Sequence, residues 1–281
     1  MSHLRLKTIL VLVVTTVILI SVLHLVVIAI VSESFAKVEV DQSAQEITVT
    51  RNAMGSELVD IATSARDYAY WDDTYSFVQT GNQSYIDANL VNSTYTNLRV
   101  QVIVLLDYSG AIVFQGAHYE NDPNASLPSG LEAHLKMSDP LIGDALNASE
   151  VTGILVLNQS MMLVSSQPVL KSDQTGPVVG CLLFCRAVDE TERSIIEQTL
   201  LAHITFYSPS DPEPANILGP TLYAELATLE PVGLPLNDST YSIWVAMPDI
   251  YGQIGLIIGE DLPRIAYAQY QASSFLLASS L

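Results

Sequence analysis

The chain has 281 residues, enough for one large or two small domains. Thirty acidic residues against eleven basic ones leave a formal net charge of −19, a field that repels phosphate backbones and argues against nucleic acid as a partner. Only 15% of residues are charged, 49% are hydrophobic and the mean hydropathy is +0.33, which is too apolar for a chain lying wholly in water and implies a membrane segment.

That segment comes first. Arg5 and Lys7 precede an apolar run without a charge over residues 8–31, which as a helix extends about 36 Å and spans a bilayer with some tilt. The run is too long for a signal-peptide core and no small-residue cleavage pattern follows it, so it reads as an uncleaved signal anchor. Glu33, Glu39 and Asp41 follow it. The positive-inside rule then puts residues 1–7 in the cytoplasm and the main domain outside the cell membrane. His24, alone among aliphatic residues, reads as a packing residue sooner than as a proton site.

Residues 40–75 read as a long helix rising from the membrane. Val40, Ala44, Ile47, Arg51, Met54, Leu58, Ile61, Ala65 and Tyr68 recur at spacings of four and three, so they lie along one side, interrupted in polarity by Arg51. Asp41, Gln42, Gln45, Glu46, Thr50, Asn52, Glu57 and Asp60 fall between them and face water. Two packings stay open: a helix laid on its own domain's sheet, or a coiled coil of two chains, which makes a homodimer the expected assembly.

Beyond this rod, residues 82–97 are polar, with Tyr85, Ile86 and Leu90 at helical spacing. Strands are expected at 98–106 and 111–116 about the turn Asp107-Tyr108-Ser109-Gly110, and a loop at 119–130. One or two short helices fill 131–146, broken at Asp139-Pro140, and strands follow at 151–158, 161–169 and 178–187. Asp189 opens a helix to about Ala202, with Glu190 and Glu192 in its first turn, where the helix dipole favours negative charge. A strand at 204–207, a proline-rich loop at 208–214, a weak helix at 221–229 and a hairpin of 241–247 with 254–259 complete the domain. Residues 263–281 become apolar toward Leu281 and read as the start of a second membrane helix, with Arg264 either anchoring it or solvated.

Cys181 and Cys185 are too few for a disulfide framework. In one strand they stand roughly 13 Å apart, out of bridging range, and read as small buried apolar side chains. The five histidines show no ligand spacing, so neither a metal nor another cofactor is expected. No hydrolase elbow, phosphate loop, dinucleotide fingerprint or zincin motif occurs, and enzyme activity has little support. Six Asn-x-Ser/Thr sequons, at Asn82, Asn92, Asn124, Asn147, Asn158 and Asn237, agree with an external, glycosylated domain, although asparagine and serine also share a preference for turns.

Two groups are candidates for ligand contact. Asp72 and Asp73 can accept hydrogen bonds from a ligand's ammonium or hydroxyl groups between the flat walls of Trp71 and Tyr75. The alternative is structural: an aspartate caps the next helix while the two aromatic rings pack the corner. Arg99, beside Tyr95, can meet an anionic ligand group, or else form a salt bridge with Asp72, Asp73 or Asp107.

The run Asp67-Tyr-Ala-Tyr-Trp-Asp-Asp-Thr-Tyr, the strand Val100-Gln-Val-Ile-Val-Leu-Leu-Asp-Tyr-Ser-Gly, the segment Gln167-Pro-Val-Leu-Lys followed by Gly176-Pro-Val-Val-Gly, and Leu262-Pro-Arg-Ile resemble the CHASE extracytoplasmic sensory domains, fourth subtype. The resemblance covers about residues 35–265. It implies membership of the Cache/PAS-like superfamily, a long amino-terminal helix against antiparallel sheet, and service as input to histidine kinases or cyclic dinucleotide enzymes. This chain departs from the pattern in reading Cys-Leu-Leu-Phe-Cys-Arg over 181–186, where a glycine is expected before Arg186.

The expected fold is therefore α+β: a transmembrane and juxtamembrane helix packed on a PAS/Cache-like antiparallel sheet, with a smaller membrane-proximal lobe. The expected order is a cytoplasmic terminus (1–7), a membrane helix (8–31), an extracytoplasmic sensory domain (32–262) and the start of a second span (263–281). The expected role is ligand sensing for a membrane-bound signal-transduction protein of the sensor histidine kinase type, with the lipid bilayer and a small molecule as partners and the output module outside this chain. The competing role is a glycosylated, membrane-anchored surface protein with an adhesive or structural part.

Overall fold

The computed structural model describes residues 2–119, 122, 125–158 and 160–279, with side chains described between residues 7 and 274 of these. Asn124, one of the six sequons, lies outside the described residues.

Helix α1 runs unbroken over Ser2–Ala69, 68 residues. Nothing in that stretch stops it: it holds no proline and a single glycine, Gly55, which costs a helix interior only about 1 kcal/mol. Membrane segment and rod are thus one helix. Among the described residues it is the one helix long and apolar enough to cross a membrane, and its most apolar stretch buries nothing within the protein.

The chain divides into two compact units, and α1 belongs to both. The larger comprises residues 47–232 and 244–260. Its antiparallel sheet has the order β2-β1-β5-β4-β3, formed by β1 (Val102–Asp107), β2 (Ile112–Ala117), β3 (Val151–Val156), β4 (Met161–Pro168) and β5 (Gly180–Ala187). Alternate residues of a strand point to opposite faces, and both faces here are covered. On one lie Leu182, Phe184 and Arg186 of β5; Phe184 meets Tyr68 of α1 edge-on, ring centroids 5.7 Å apart. Ile47, Met54, Ile61 and Ala65 of α1 are fully buried. From Ile47 to Tyr68 the stripe of four-and-three spacing therefore packs on the chain's own domain, while Val40 at its start is exposed. Arg51, its polar exception, donates from Nη1 to the Leu229 carbonyl at 2.9 Å.

On the opposite face Val102, Val104, Leu106, Cys181, Leu183 and Cys185 share a core with Leu131 and with Leu141, Ile142 and Ala145 of α5 (Pro140–Leu146). Asp139 caps α5 and accepts from Leu141 N, with Pro140 at its first position. Cys185 pairs in unbroken register with Val102 and Val164. The missing glycine leaves β5 regular, because a thiol is small enough for this fully buried site.

Between α1 and β1 the polar stretch forms three short helices, α2 (Asp72–Thr80), α3 (Gln83–Asn89) and α4 (Asn92–Leu98). This shifts the first strand: α4 continues to Leu98, and Arg99 ends it with φ 54, so β1 starts at Val102 and Arg99 lies outside it. The β1–β2 turn is held by Asp107, whose Oδ1 accepts from Ser109 N and Ala111 N at 2.8 and 3.0 Å, with Gly110 supplying the required φ of 81.

Helix α6 (Glu190–Leu200) starts at the cap residue Asp189, which accepts from Thr191 N and Glu192 N, and β6 (Ile204–Tyr207) follows. Residues 212–214, expected as loop, open helix α7 (Pro212–Glu225): Pro212 stands at its start, where a missing N–H costs nothing. Gly219 (φ 69) and Pro220 kink it. A second sheet has the order β6-β9-β8-β7, with β7 (Val232–Pro235), β8 (Thr240–Pro248) and β9 (Ile254–Pro263). Strand β7 was not anticipated; its four residues Val-Gly-Leu-Pro carry no readable periodicity.

The smaller unit comprises residues 1–46, 233–243 and 261–281. In it α8 (Ile265–Ser279) begins directly after Arg264, Tyr270 lies 6.0 Å from Phe35 of α1, ring to ring, and Ser242 Oγ donates to Asp261 at 2.6 Å.

Candidate functional site

The two candidate groups fall in different places. Trp71 stacks on Tyr68 with ring centroids 4.2 Å apart and is 37% exposed. It precedes α2 and makes no side-chain cap. Asp72 and Asp73 occupy the first turn of α2, where the dipole favours them; Asp72 caps no helix but accepts from the backbone N–H of Ser172 at 3.0 Å. Lys171 Nζ lies 5.7 Å from the centroid of the Tyr75 ring. The Trp71–Tyr75 cluster thus holds the β4–β5 loop against the α1–α2 corner. Asp73 also borders a hollow of about 280 Å³ beside Phe77 and Tyr85, where Thr74 and Tyr85 share a buried hydroxyl hydrogen bond of 2.6 Å.

Tyr95 and Arg99 line another cavity, about 480 Å³, together with Thr96, Gln101, His118, Asp189, Thr191, Glu192 and Ile195. It lies where α4 delivers the chain to β1 and β5 hands it to α6. Burial pushes the Tyr95 phenol up to about 12. Its ring stands 5.5 Å from that of His118, whose Nδ1 is buried with no hydrogen-bond partner in the protein.

One wall of this cavity belongs to an ion network that sequence reasoning missed. Arg99 meets neither Asp72, Asp73 nor Asp107: its Nη1 lies 3.1 Å from Glu57 Oε2 and its Nη2 2.8 Å from Glu192 Oε2. Arg186 of β5, 1% exposed, sends Nη1 to the same Glu57 oxygen at 2.7 Å and Nη2 to Asp60 at 2.8 Å. Its Nε donates to the Arg99 carbonyl at 2.8 Å, and Nη2 also donates to the Leu98 carbonyl at 3.2 Å. A buried guanidinium needs all of these partners, since desolvation alone costs several kcal/mol. Burial raises the Glu192 carboxyl above the usual glutamate range, against the pull of Arg99 and Arg186; desolvation opposes charge on Arg99 too, but the carboxylates of Glu192 and Glu57 hold it protonated. The available clue was Arg186 itself, one charge at the end of an apolar strand, which must be paired. Its acidic partners on α1 were hidden by being assigned to the wet face.

In the smaller unit Arg264 is neither solvated nor free: it pairs with Glu39 and lies 3.9 Å over the Tyr267 ring. Five sequon asparagines, Asn82, Asn92, Asn147, Asn158 and Asn237, are exposed. Two of them form local turns, Asn82 accepting from Ser84 N and Asn237 from Ser239 N, so the turn preference explains part of the sequon pattern. Among the described residues no group of His, Cys, Asp and Glu is placed to hold a metal ion.

Comparison with known proteins accords with this architecture. The CHASE4 domain matches over residues 53–207, more than half of the chain. A curated relative, the methanogenesis regulatory histidine kinase FilI of Methanothrix harundinacea (strain 6Ac), is 30% identical over 146 residues, which are 52% of this chain and 16% of that protein. The crystal structure of the extracellular domain of the putative histidine kinase vpHK1S-Z8 aligns with a TM-score of 0.58 at 14% identity, covering 84% of this chain and 95% of that one, a likeness of fold. The periplasmic domain of Vibrio cholerae LuxQ aligns at 0.49 with 9% identity, over 79% of this chain and 98% of that one. The long helix on antiparallel sheet, the apolar segment that continues it and the matched residues agree: the chain belongs to the CHASE4 family and is an extracytoplasmic sensory input domain carried on a membrane-spanning helix.

Proposed function

We propose that this domain reads a small molecule in the Tyr95–Arg99 cavity and passes the result to α1, for an output module of the histidine kinase type. The output is suggested by the relative's description as a histidine kinase, of which the chain spans 16%. The observation that carries the sensing route is a shared acceptor: Glu57 Oε2, on α1, receives both Arg99 from the cavity wall and Arg186 from the sheet. A ligand that shifts Arg99 changes the partners left to Arg186, and so biases the seat of α1 on β5. Because α1 is continuous into the apolar run, that bias is passed along one helix toward the bilayer. The Trp71–Tyr75 cluster serves this site at a distance, by fixing the loop and corner.

The accompanying layout is residues 1–7 cytoplasmic, 8–31 in the bilayer, 32–262 sensory and 263–281 beginning a second span, for which the helical, apolar α8 speaks. Two copies pair through α1. Val38, Gln42, Gln45, Val49, Asn52, Ser56, Val59 and Thr63 recur at spacings of four and three on its exposed side, an uncharged stripe on a chain of net charge −19, where like charges would otherwise keep two copies apart. Glycans on the five exposed sequons are compatible with this stripe, which contains none of them; an endoglycosidase mobility shift tests their presence.

To test the route, residues 1–281 are placed ahead of a histidine kinase transmitter in membranes and autophosphorylation is followed. Glu57→Gln is expected to change basal phosphorylation severalfold at unchanged membrane level. Wild-type phosphorylation and wild-type ligand response in Glu57→Gln would refute the route. Copper-catalysed cross-linking of Val49→Cys to itself tests the pairing.

A further inference from the structure

We infer that the Tyr95–Arg99 cavity takes a small organic cation bearing N–H donors, a primary amine, and not the anion that a lining arginine first suggests. The inference rests on the reading above that this cavity is the ligand site. Both terminal nitrogens of Arg99 are already engaged, Nη1 by Glu57 and Nη2 by Glu192. The remaining N–H donors of Arg99 are open to a carboxylate or phosphate only beside these two protein carboxylates, which repel an anion and lose part of their pairing if Arg99 turns toward it.

The charges around the cavity point the same way. Arg99 and Arg186 face the carboxylates of Glu57, Asp60 and Glu192 in the network, and Asp189 adds a fourth on the rim. Of the charged side chains that line the cavity itself, one arginine, Arg99, stands against two carboxylates, Glu192 and Asp189, which leaves the site short of cations. Asp189 is exposed, and only its Oδ1 is occupied by the cap bonds to Thr191 N and Glu192 N.

Hydrogen bonding supplies a separate indication. Glu192 is 3% exposed, and its Oε1 has no hydrogen-bond donor, with Arg186 Nη1 standing off at 3.8 Å. His118 Nδ1 is likewise buried and unpartnered. Glu192 Oε1 accepts, as does His118 Nδ1 in the tautomer protonated at Nε2; a ligand that donates completes both, and an ammonium donates three times while supplying the missing charge. The Tyr95 and His118 rings give its carbon skeleton an apolar wall.

The experiment uses the full chain in lipid nanodiscs at neutral pH and three probes of one skeleton: benzylamine, benzyl alcohol and benzoate. Binding is measured by ligand-observed NMR with wild type, Asp189→Asn and Thr96→Trp. Asparagine still caps α6, so Asp189→Asn removes the rim charge and leaves the helix; the tryptophan fills the cavity mouth from an exposed position. Benzylamine is expected to bind saturably and about tenfold more tightly than benzoate, to weaken about fivefold in Asp189→Asn, and to lose binding in Thr96→Trp. Tighter binding of benzoate that Thr96→Trp blocks overturns the cation assignment and leaves the cavity as the site. Benzylamine binding that Thr96→Trp leaves intact overturns the cavity reading itself. Absence of saturable benzylamine binding, with far-ultraviolet circular dichroism showing a folded protein, overturns the inference.

Discussion

Glu39 and Arg264 form a two-pronged ion pair, with Arg264 Nε 3.0 Å from Oε1 and Nη2 2.9 Å from Oε2. Their separation of 225 positions along the chain makes this the clasp at which the chain, on its way out of the domain, meets the helix by which it entered. Arg264 Nη1 also donates to the Asn237 carbonyl at 2.9 Å, and its plane covers Tyr267. Lysine can reproduce the charge but not the fork or the stacking. Arg264→Lys is expected to destabilise by about 1–2 kcal/mol and Glu39→Gln, which leaves the guanidinium partly unpaired, by about 2–4 kcal/mol. Thermal unfolding in detergent, with protease sensitivity near Pro263 as a local readout, checks both; an unchanged melting curve in both variants would show the pair to be idle.

Arg186→Met should be the most damaging single change in the larger unit. It removes the partner of Glu57 and Asp60 from a site where Arg186 is 1% exposed, at an expected cost of about 3–5 kcal/mol. Arg99→Gln should cost less, about 1–3 kcal/mol, because the Arg99 side chain is 37% exposed and solvent screens its side of the pair, although buried Glu192 loses its charged partner. Denaturant midpoints of the two variants decide this, and the reverse order would mean that the network is centred on Arg99.

Stability should also carry the signature of Glu192. Burial lifts its carboxyl above the ordinary value, with Arg99 and Arg186 pulling the other way and Glu57 adding to the rise. A carboxyl that holds its proton more tightly in the native state favours folding at low pH. That contribution is complete below the unfolded-state value of about 4.3 and is lost as pH rises through the raised native value. Relative to Glu192→Gln, the wild type should therefore lose stability across this window. A pH-independent difference between the two proteins would contradict the assignment.

Cys181 and Cys185 should be inert in the native state. Both are fully buried and unbridged. Burial pushes the Cys181 thiol up to about 12 and Cys185 higher still, so the thiolate that reacts is scarce. Maleimide labelling of native protein should be negligible over hours and should go to completion in denaturant. Rapid native labelling would place β5 at an exposed edge.

The sequence alone determined the elements that depend on local pattern. The apolar run over residues 8–31 marked a helix long and apolar enough to cross a membrane, and the four-and-three spacing of Ile47, Met54, Ile61 and Ala65 marked the buried side of the rod. Turn chemistry at Asp107–Gly110 and the cap at Asp189 placed a hairpin and a helix start because each needs only its near neighbours. Tertiary structure decided everything that required a partner far along the chain. That Glu57 is a half-buried ion-pair acceptor is set by Arg186, 129 residues away. That Arg99 faces Glu192 follows from the turn of α4 into β1, where its φ of 54 redirects the side chain. Charge pairing across a sheet leaves no periodicity in a sequence; it exists only once the strands are in register.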